Sequence, residues 1–249
     1  MVAIPQAPRH TARRKAGEHW MLGNDACVLM FHGIGEIPDH IEADERPYWI
    51  GWELFDRIVD HVGQRSKDDR RVIFTFDDGN ASDLSAASKL AAAALDGRFF
   101  VLAGRIGRTD YLSASEIAEI TSLGMEVGLH GRQHCDWRKL AAPELEVELT
   151  VSREEISAAS GRPVTSVAIP FGAYNRTVMQ RLHGDDFEHI HTSDPGVWRA
   201  ASRIVRRNTI TAAHSLENVI DIIDDRIPLK SKLRRAITPP MKRIMNQVG

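Results

Sequence analysis

Short apolar runs alternate along the chain with longer stretches in which apolar residues recur every three or four positions. The apolar runs at residues 27–31, 72–76, 98–102, 125–129, 166–169, 189–192 and 204–210 predict buried strands. The longer stretches at 52–62, 82–95, 115–123, 143–160, 175–182 and 215–223 predict helices, with Gly124 and Gly161 standing where helix-ending glycines belong. No internal repeat or low-complexity linker divides the pattern. Strands that alternate with helices imply a mostly parallel sheet, and this many could close into a barrel.

In such folds ligands sit at the carboxyl ends of the strands, so chemistry is sought in the residues just after each one. That rule selects His32, Asp77, Asp78, His130, His134, the run Pro170-Phe171-Gly172, Asp194 and His214.

Composition narrows the class. At 249 residues, with 43% hydrophobic and 27% charged residues and a mean hydropathy of −0.28, the chain reads as one large soluble α/β domain. A collagenous, disordered or membrane-spanning chain is excluded. Charge is uneven: residues 1–20 carry +3 and residues 226–249 carry +7, which leaves −12 for the body of a chain whose net charge is −2. Basic charge confined to the ends argues against a nucleic-acid partner. The expected organisation is a basic extension at 1–20, one folded domain at 21–225 and a basic tail at 226–249. That tail mixes Lys and Arg with Leu, Ile and Met, which would suit peripheral contact with an anionic membrane. Pro239-Pro240 interrupts it, as a solvated tail would allow. Cys27 and Cys135 form no C-x-x-C pair. With no signal-peptide pattern and no 18-residue apolar run, the expected location is cytoplasmic.

Two motifs carry the chemistry. His130 and His134 are four residues apart, a spacing that in a helical turn brings both imidazoles to one face; without a Glu between them this is not the H-E-x-x-H metalloprotease pattern. Asp77 and Asp78 are adjacent carboxylates at the end of a buried strand, where they repel unless a cation or strong donors stabilise them. Neighbouring side chains leave a strand in opposite directions, so one can meet a metal while the other faces substrate. Each motif alone has an ordinary reading, as a polar turn or a D-D-G turn.

Taken in order, Thr75-Phe76-Asp77-Asp78-Gly79, His130-x-x-x-His134 and Ile169-Pro170-Phe171-Gly172 resemble the motifs of the polysaccharide deacetylase family, the NodB homology or carbohydrate esterase 4 group. The resemblance implies a distorted (β/α) barrel. It implies that Asp78, His130 and His134 bind one divalent cation, zinc foremost, with cobalt, nickel or iron also suited to the ligand set. It makes Asp77 the general base, the Phe171 N–H a donor to the oxyanion, and an acetylated oligo- or polysaccharide the partner. Pro170, Asp194 and Trp198 are the expected substrate-lining residues. The general acid has two candidates, His214 after a late strand and His32 after the first; His214 could equally just precede Ser215 as a helix cap.

One departure stands out. In many family members an arginine just before the third-motif proline bonds the catalytic aspartate, whereas here that stretch is Val167-Ala168-Ile169-Pro170. Arg132, Arg203 and Arg206 are candidate replacements by charge alone. The expected reaction is removal of N-acetyl groups from a glycan or its precursor. The alternatives are an O-acetyl esterase, a small-amide hydrolase, or a non-catalytic glycan-binding relative.

Overall fold

A computed structural model of the chain describes residues 25–66 and 69–226. The basic extension and, apart from Arg226, the basic tail lie outside the described residues, and so do both readings of that tail, solvated or in contact with a membrane.

Nine strands form one sheet: β1 (Ala26–Phe31), β2 (Arg71–Phe76), β3 (Gly97–Val101), β4 (Glu126–Leu129), β5 (Ser166–Ala168), β6 (His189–His191), β7 (Val197–Trp198), β8 (Ile204–Val205) and β9 (Asn208–Thr209). β1 to β6 lie side by side in sequence order and all parallel, as the alternating pattern predicts. Every residue of β1 and β3 is buried, so neither strand shows apolar–polar alternation; β1 is apolar throughout, and β3 buries Arg98 beside Phe99, Phe100 and Val101.

The segment expected as one strand over 204–210 is broken. Its first half, β8, pairs with β6, and its second half, β9, pairs with β1. Since β6 and β1 end the parallel series, this one stretch of chain bridges them and nearly closes the sheet into a barrel. β7 was not expected; it runs antiparallel to β1, with Trp198 opposite Ala26.

Helices α1 (Trp52–Gly63), α2 (Ser82–Ala92), α3 (Ala114–Ser122), α4 (Ala142–Glu146), α5 (Ser152–Ser160), α6 (Arg176–Gly184) and α7 (Leu216–Ile223) intersperse the strands. Their spacing explains their packing: α1 buries Phe55, Ile58, Val59 and Val62, and α7 buries Val219 and Ile223. Caps fix where they start. Ser113 and Ser215 make reciprocal capping boxes, and the Asn175 side chain accepts from the Val178 N–H. α4 and α5 are joined by a π-helical turn at Val147–Val151, so 142–160 is one helical run ended by Gly161 at φ 67°. The core is aromatic at its centre: Phe76 stacks on Phe99 at 4.5 Å and on Phe31 at 5.4 Å. No helix among the described residues is long and apolar enough to cross a membrane.

Candidate metal centre and active site

Strand register brings the motifs together. Phe31 pairs with Phe76, Val101 with Leu129 and Leu129 with Val167, so the residues that follow these strands emerge on one rim. The Asp77 N–H donates to the Phe31 carbonyl at 3.0 Å, and the His130 N–H to the Val101 carbonyl at 2.9 Å. Beneath that rim lies a cavity of about 360 Å³ lined by His32, Asp77, Asp78, His130, His134 and Phe171, among others.

Asp78, His130 and His134 present ligand atoms within 4.8 Å of one another. Both imidazole Nε2 atoms lie 3.6 Å from Asp78 Oδ1. That oxygen is buried and has no hydrogen-bond partner, an arrangement that a cation would satisfy. Asp78 reaches it from a left-handed backbone, φ 82°, at the sharp turn after β2. His130 Nδ1 lies 2.9 Å from the Ala168 carbonyl, which can only accept, so the ring is protonated there and Nε2 is left free as a ligand atom. Burial pushes the His130 imidazole down to about 4 against the pull of Asp77 and Asp78, which keeps it in the neutral form a metal requires. The residues present therefore fit a divalent cation. The turn that holds them is not helical, contrary to the expectation from the four-residue spacing: it is a bend, with Gly131 at φ 90° and His134 at φ 48°.

Asp77 is held by a residue the motifs do not contain. Arg207, from the two-residue gap between β8 and β9, donates from Nη1 to Oδ1 at 2.6 Å and from Nη2 to Oδ2 at 2.8 Å. Its own Nε–H is held by the Thr192 carbonyl at 3.1 Å. Burial alone would push the Asp77 carboxyl up; Arg207, with His130 behind it, outweighs burial and brings it down to about 2. The three arginines considered from sequence are elsewhere: Arg132 pairs with Glu155 at 2.8 Å, Arg203 bonds the Phe187 carbonyl, and Arg206 lies against Gly196. A signal for Arg207 was present, because extended chain puts it on the same face as the buried Val205.

The remaining expected residues divide. His32 lines the cavity, its ring 5.0 Å from that of Tyr48, with Nδ1 buried and lacking a hydrogen-bond partner. His214 is not among the lining residues; its Nδ1 accepts from the Thr211 N–H at 3.1 Å, just before the Ser215 cap. Phe171 is 60% exposed, with φ 57° and its ring 4.2 Å from that of His134. Pro170 is buried in the turn behind it. Asp194 is buried and accepts from the Tyr174 hydroxyl at 2.5 Å, while its backbone carbonyl takes the Arg207 N–H. Trp198 pairs at the opposite end of β1 from His32, packs with Ala26, Val28, Ile73 and Val205, and does not reach the cavity.

Comparison with known proteins agrees with this architecture. The sequence model of one family, described as Polysaccharide deacetylase, matches residues 64–190, just over half of the chain. YxkH of Bacillus subtilis (strain 168), whose name carries the same family, is 22% identical over 188 residues, covering 71% of this chain and 66% of its own. The chain thus spans just under two-thirds of that relative. Among solved structures, a polysaccharide deacetylase from Bacillus cereus aligns with a TM-score of 0.70 at 21% identity, covering 81% of this chain and 69% of that one. The Streptococcus pyogenes deacetylase PplD, in complex with acetate, aligns with a TM-score of 0.71 at 19% identity over 81% and 99% of the two chains. At these identities the structures establish a shared NodB-type barrel, and with the family model covering the strands that carry Asp77, Asp78, His130 and His134, the chain belongs to the polysaccharide deacetylase family.

Proposed function

We propose that this protein is a metal-dependent hydrolase that removes N-acetyl groups from a glycan or glycan precursor. The observation that carries the reading is the division of labour between adjacent carboxylates: Asp77 is gripped by Arg207, while Asp78 turns an unpartnered oxygen towards two imidazoles. A structural role needs no such pairing.

Asp78, His130 and His134 would hold the cation. Bound there, a divalent ion such as zinc would polarise the acetyl carbonyl and acidify water enough for a weak base to deprotonate it. Asp77 is such a base, since Arg207 keeps it ionised and fixes both of its oxygens. The Phe171 N–H is assigned to the oxyanion that develops on the carbonyl. His32 is assigned the proton that the departing amine needs, because it lines the cavity and His214 does not. The exposed Phe171 ring and Tyr48 flank the mouth and suit stacking on a sugar face. The products are acetate and a free amine.

The test is acetate release by the zinc-loaded protein from N-acetylated chitooligosaccharides and from O-acetylated xylan, side by side. Faster release from the chitooligosaccharides supports the amidase reading. Release only from xylan replaces it with an esterase on the same site, and release from neither, with stoichiometric zinc bound, favours a glycan-binding relative. The basic tail is proposed as a contact with anionic membranes; equal flotation on liposomes with and without residues 226–249 would end that idea.

A further inference from the structure

The turn that carries His130 and His134 takes two left-handed residues and no helix, so its shape has to be imposed by its surroundings. One side chain does most of this. Glu148 is 4% exposed, and its carboxylate accepts from the Arg132 N–H at 2.6 Å, the Gln133 N–H at 3.2 Å and the Trp137 Nε1–H at 3.3 Å. Donors on three residues between 132 and 137 thus converge on one buried anion, which is how a carboxylate becomes tolerable away from water. Gly131 belongs to the same fit, because a Cβ there would fall 2.5 Å from Glu148 Oε2.

The helical run that supplies Glu148 is modified at that point. Its π turn, Val147–Val151, includes Glu148 itself, flanked by the buried core residues Leu145 and Leu149. Such turns are rare and concentrate at functional sites. A glutamate at a core position of an amphipathic helix would be costly for packing alone. Here its donors all lie in the loop that delivers a ligand histidine.

We infer that Glu148 is a positioning residue of the metal centre, holding the loop from Gly131 to Trp137 in the shape that points His130 and His134 at Asp78. The inference rests on the metal reading proposed above. Groups behind a metal's ligands typically change affinity by about 10–100-fold when lost.

The test is zinc affinity, measured on the full chain by competition with a chromophoric chelator, for the parent and for Glu148→Gln, Glu148→Asp and Leu149→Ala. Glu148→Gln keeps the side chain's shape but turns one acceptor into a donor facing N–H groups; about 10–100-fold weaker zinc binding is expected. Leu149→Ala removes core packing beside Glu148 but leaves its carboxylate and the donors on residues 132–137 unchanged, and should lower Tm while keeping the parent's affinity. Parent-like affinity in the Glu148 variants overturns the inference, and so does an equal affinity loss in Leu149→Ala. Should Glu148→Gln fail to fold, Glu148→Asp decides by the same criterion. A parent that binds no zinc overturns the metal reading itself, an outcome separate from zinc binding that ignores Glu148.

Discussion

The Arg207 guanidinium grips both oxygens of the Asp77 carboxylate, at 2.6 and 2.8 Å, across 130 residues of sequence. The bidentate geometry fixes the plane of the carboxylate as well as its charge, which a lysine cannot reproduce. Arg207→Met leaves a buried anion without its partner, a change that costs about 3–5 kcal/mol in comparable pairs. Separately, a base that is no longer held in position should lower kcat/KM for deacetylation by about 10²-fold in Arg207→Met, with Arg207→Lys intermediate. With the guanidinium gone, burial dominates and Asp77 titrates higher, so the acid limb of the pH–rate profile moves up. A profile unmoved in Arg207→Met would contradict this role.

The two candidate acids make opposite predictions. His32→Gln should lower kcat by about 10²–10⁴-fold, the usual range for a general acid. His214→Ala should leave kcat near the parent value and cost a little stability through the lost bond to the Thr211 N–H. Steady-state kinetics of both variants on one substrate decide between them, and a reversed pattern would return the role to His214.

How far the sequence spoke depended on whether a feature was local. Parallel strands buried on both faces announce themselves as apolar runs, and β1 to β6 fall where those runs predict. β7 is two residues long and pairs antiparallel at an edge, too short for a periodic signal. The break between β8 and β9 is set by tertiary pairing with two different neighbours, and it is this break that carries Arg207 to Asp77. Asp78, His130 and His134 could be grouped from motif order, but the bend that unites them depends on Glu148, which reads simply as a polar residue within a helix. Trp198 follows a strand as a sugar-stacking residue should, yet its chain reverses into β7 and its Nε1–H is taken by the Ser202 carbonyl.

Asp83 gives a test of pH dependence away from catalysis. It is fully buried at the start of α2, and neither carboxyl oxygen has a hydrogen-bond partner. Burial first, then the charges of Asp78 and Asp77, hold its carboxyl well above the ordinary range. The folded state therefore binds a proton that the unfolded chain has already released, and stability falls as pH rises past the ordinary carboxylate range. Asp83→Asn removes that loss. It should melt several degrees higher than the parent at pH 7, at roughly 2–4 °C per kcal/mol for a chain of this size, with the gap closing towards pH 4. Parallel melting curves across that range would sink the assignment.

Gly33 sets the wall of the cavity by absence. A Cβ there would lie 2.1 Å from the Trp49 indole, and Trp49 lines the site. Gly33→Ala must displace that ring, and overpacking of this kind typically costs about 1–3 kcal/mol. Lower Tm and a raised KM are expected together. An alanine variant with parent Tm and KM would show that the wall yields freely.

In the function proposed above, adjacent carboxylates do different work, Asp77 moving a proton and Asp78 holding a cation. The most direct measurement is made on Asp77→Asn: zinc content by mass spectrometry after loading and desalting, and acetate release from N-acetylated chitooligosaccharides on the same sample. About one equivalent of zinc is expected, as in the parent, with acetate release reduced to background. Retained acetate release, or loss of zinc along with activity, would contradict the division.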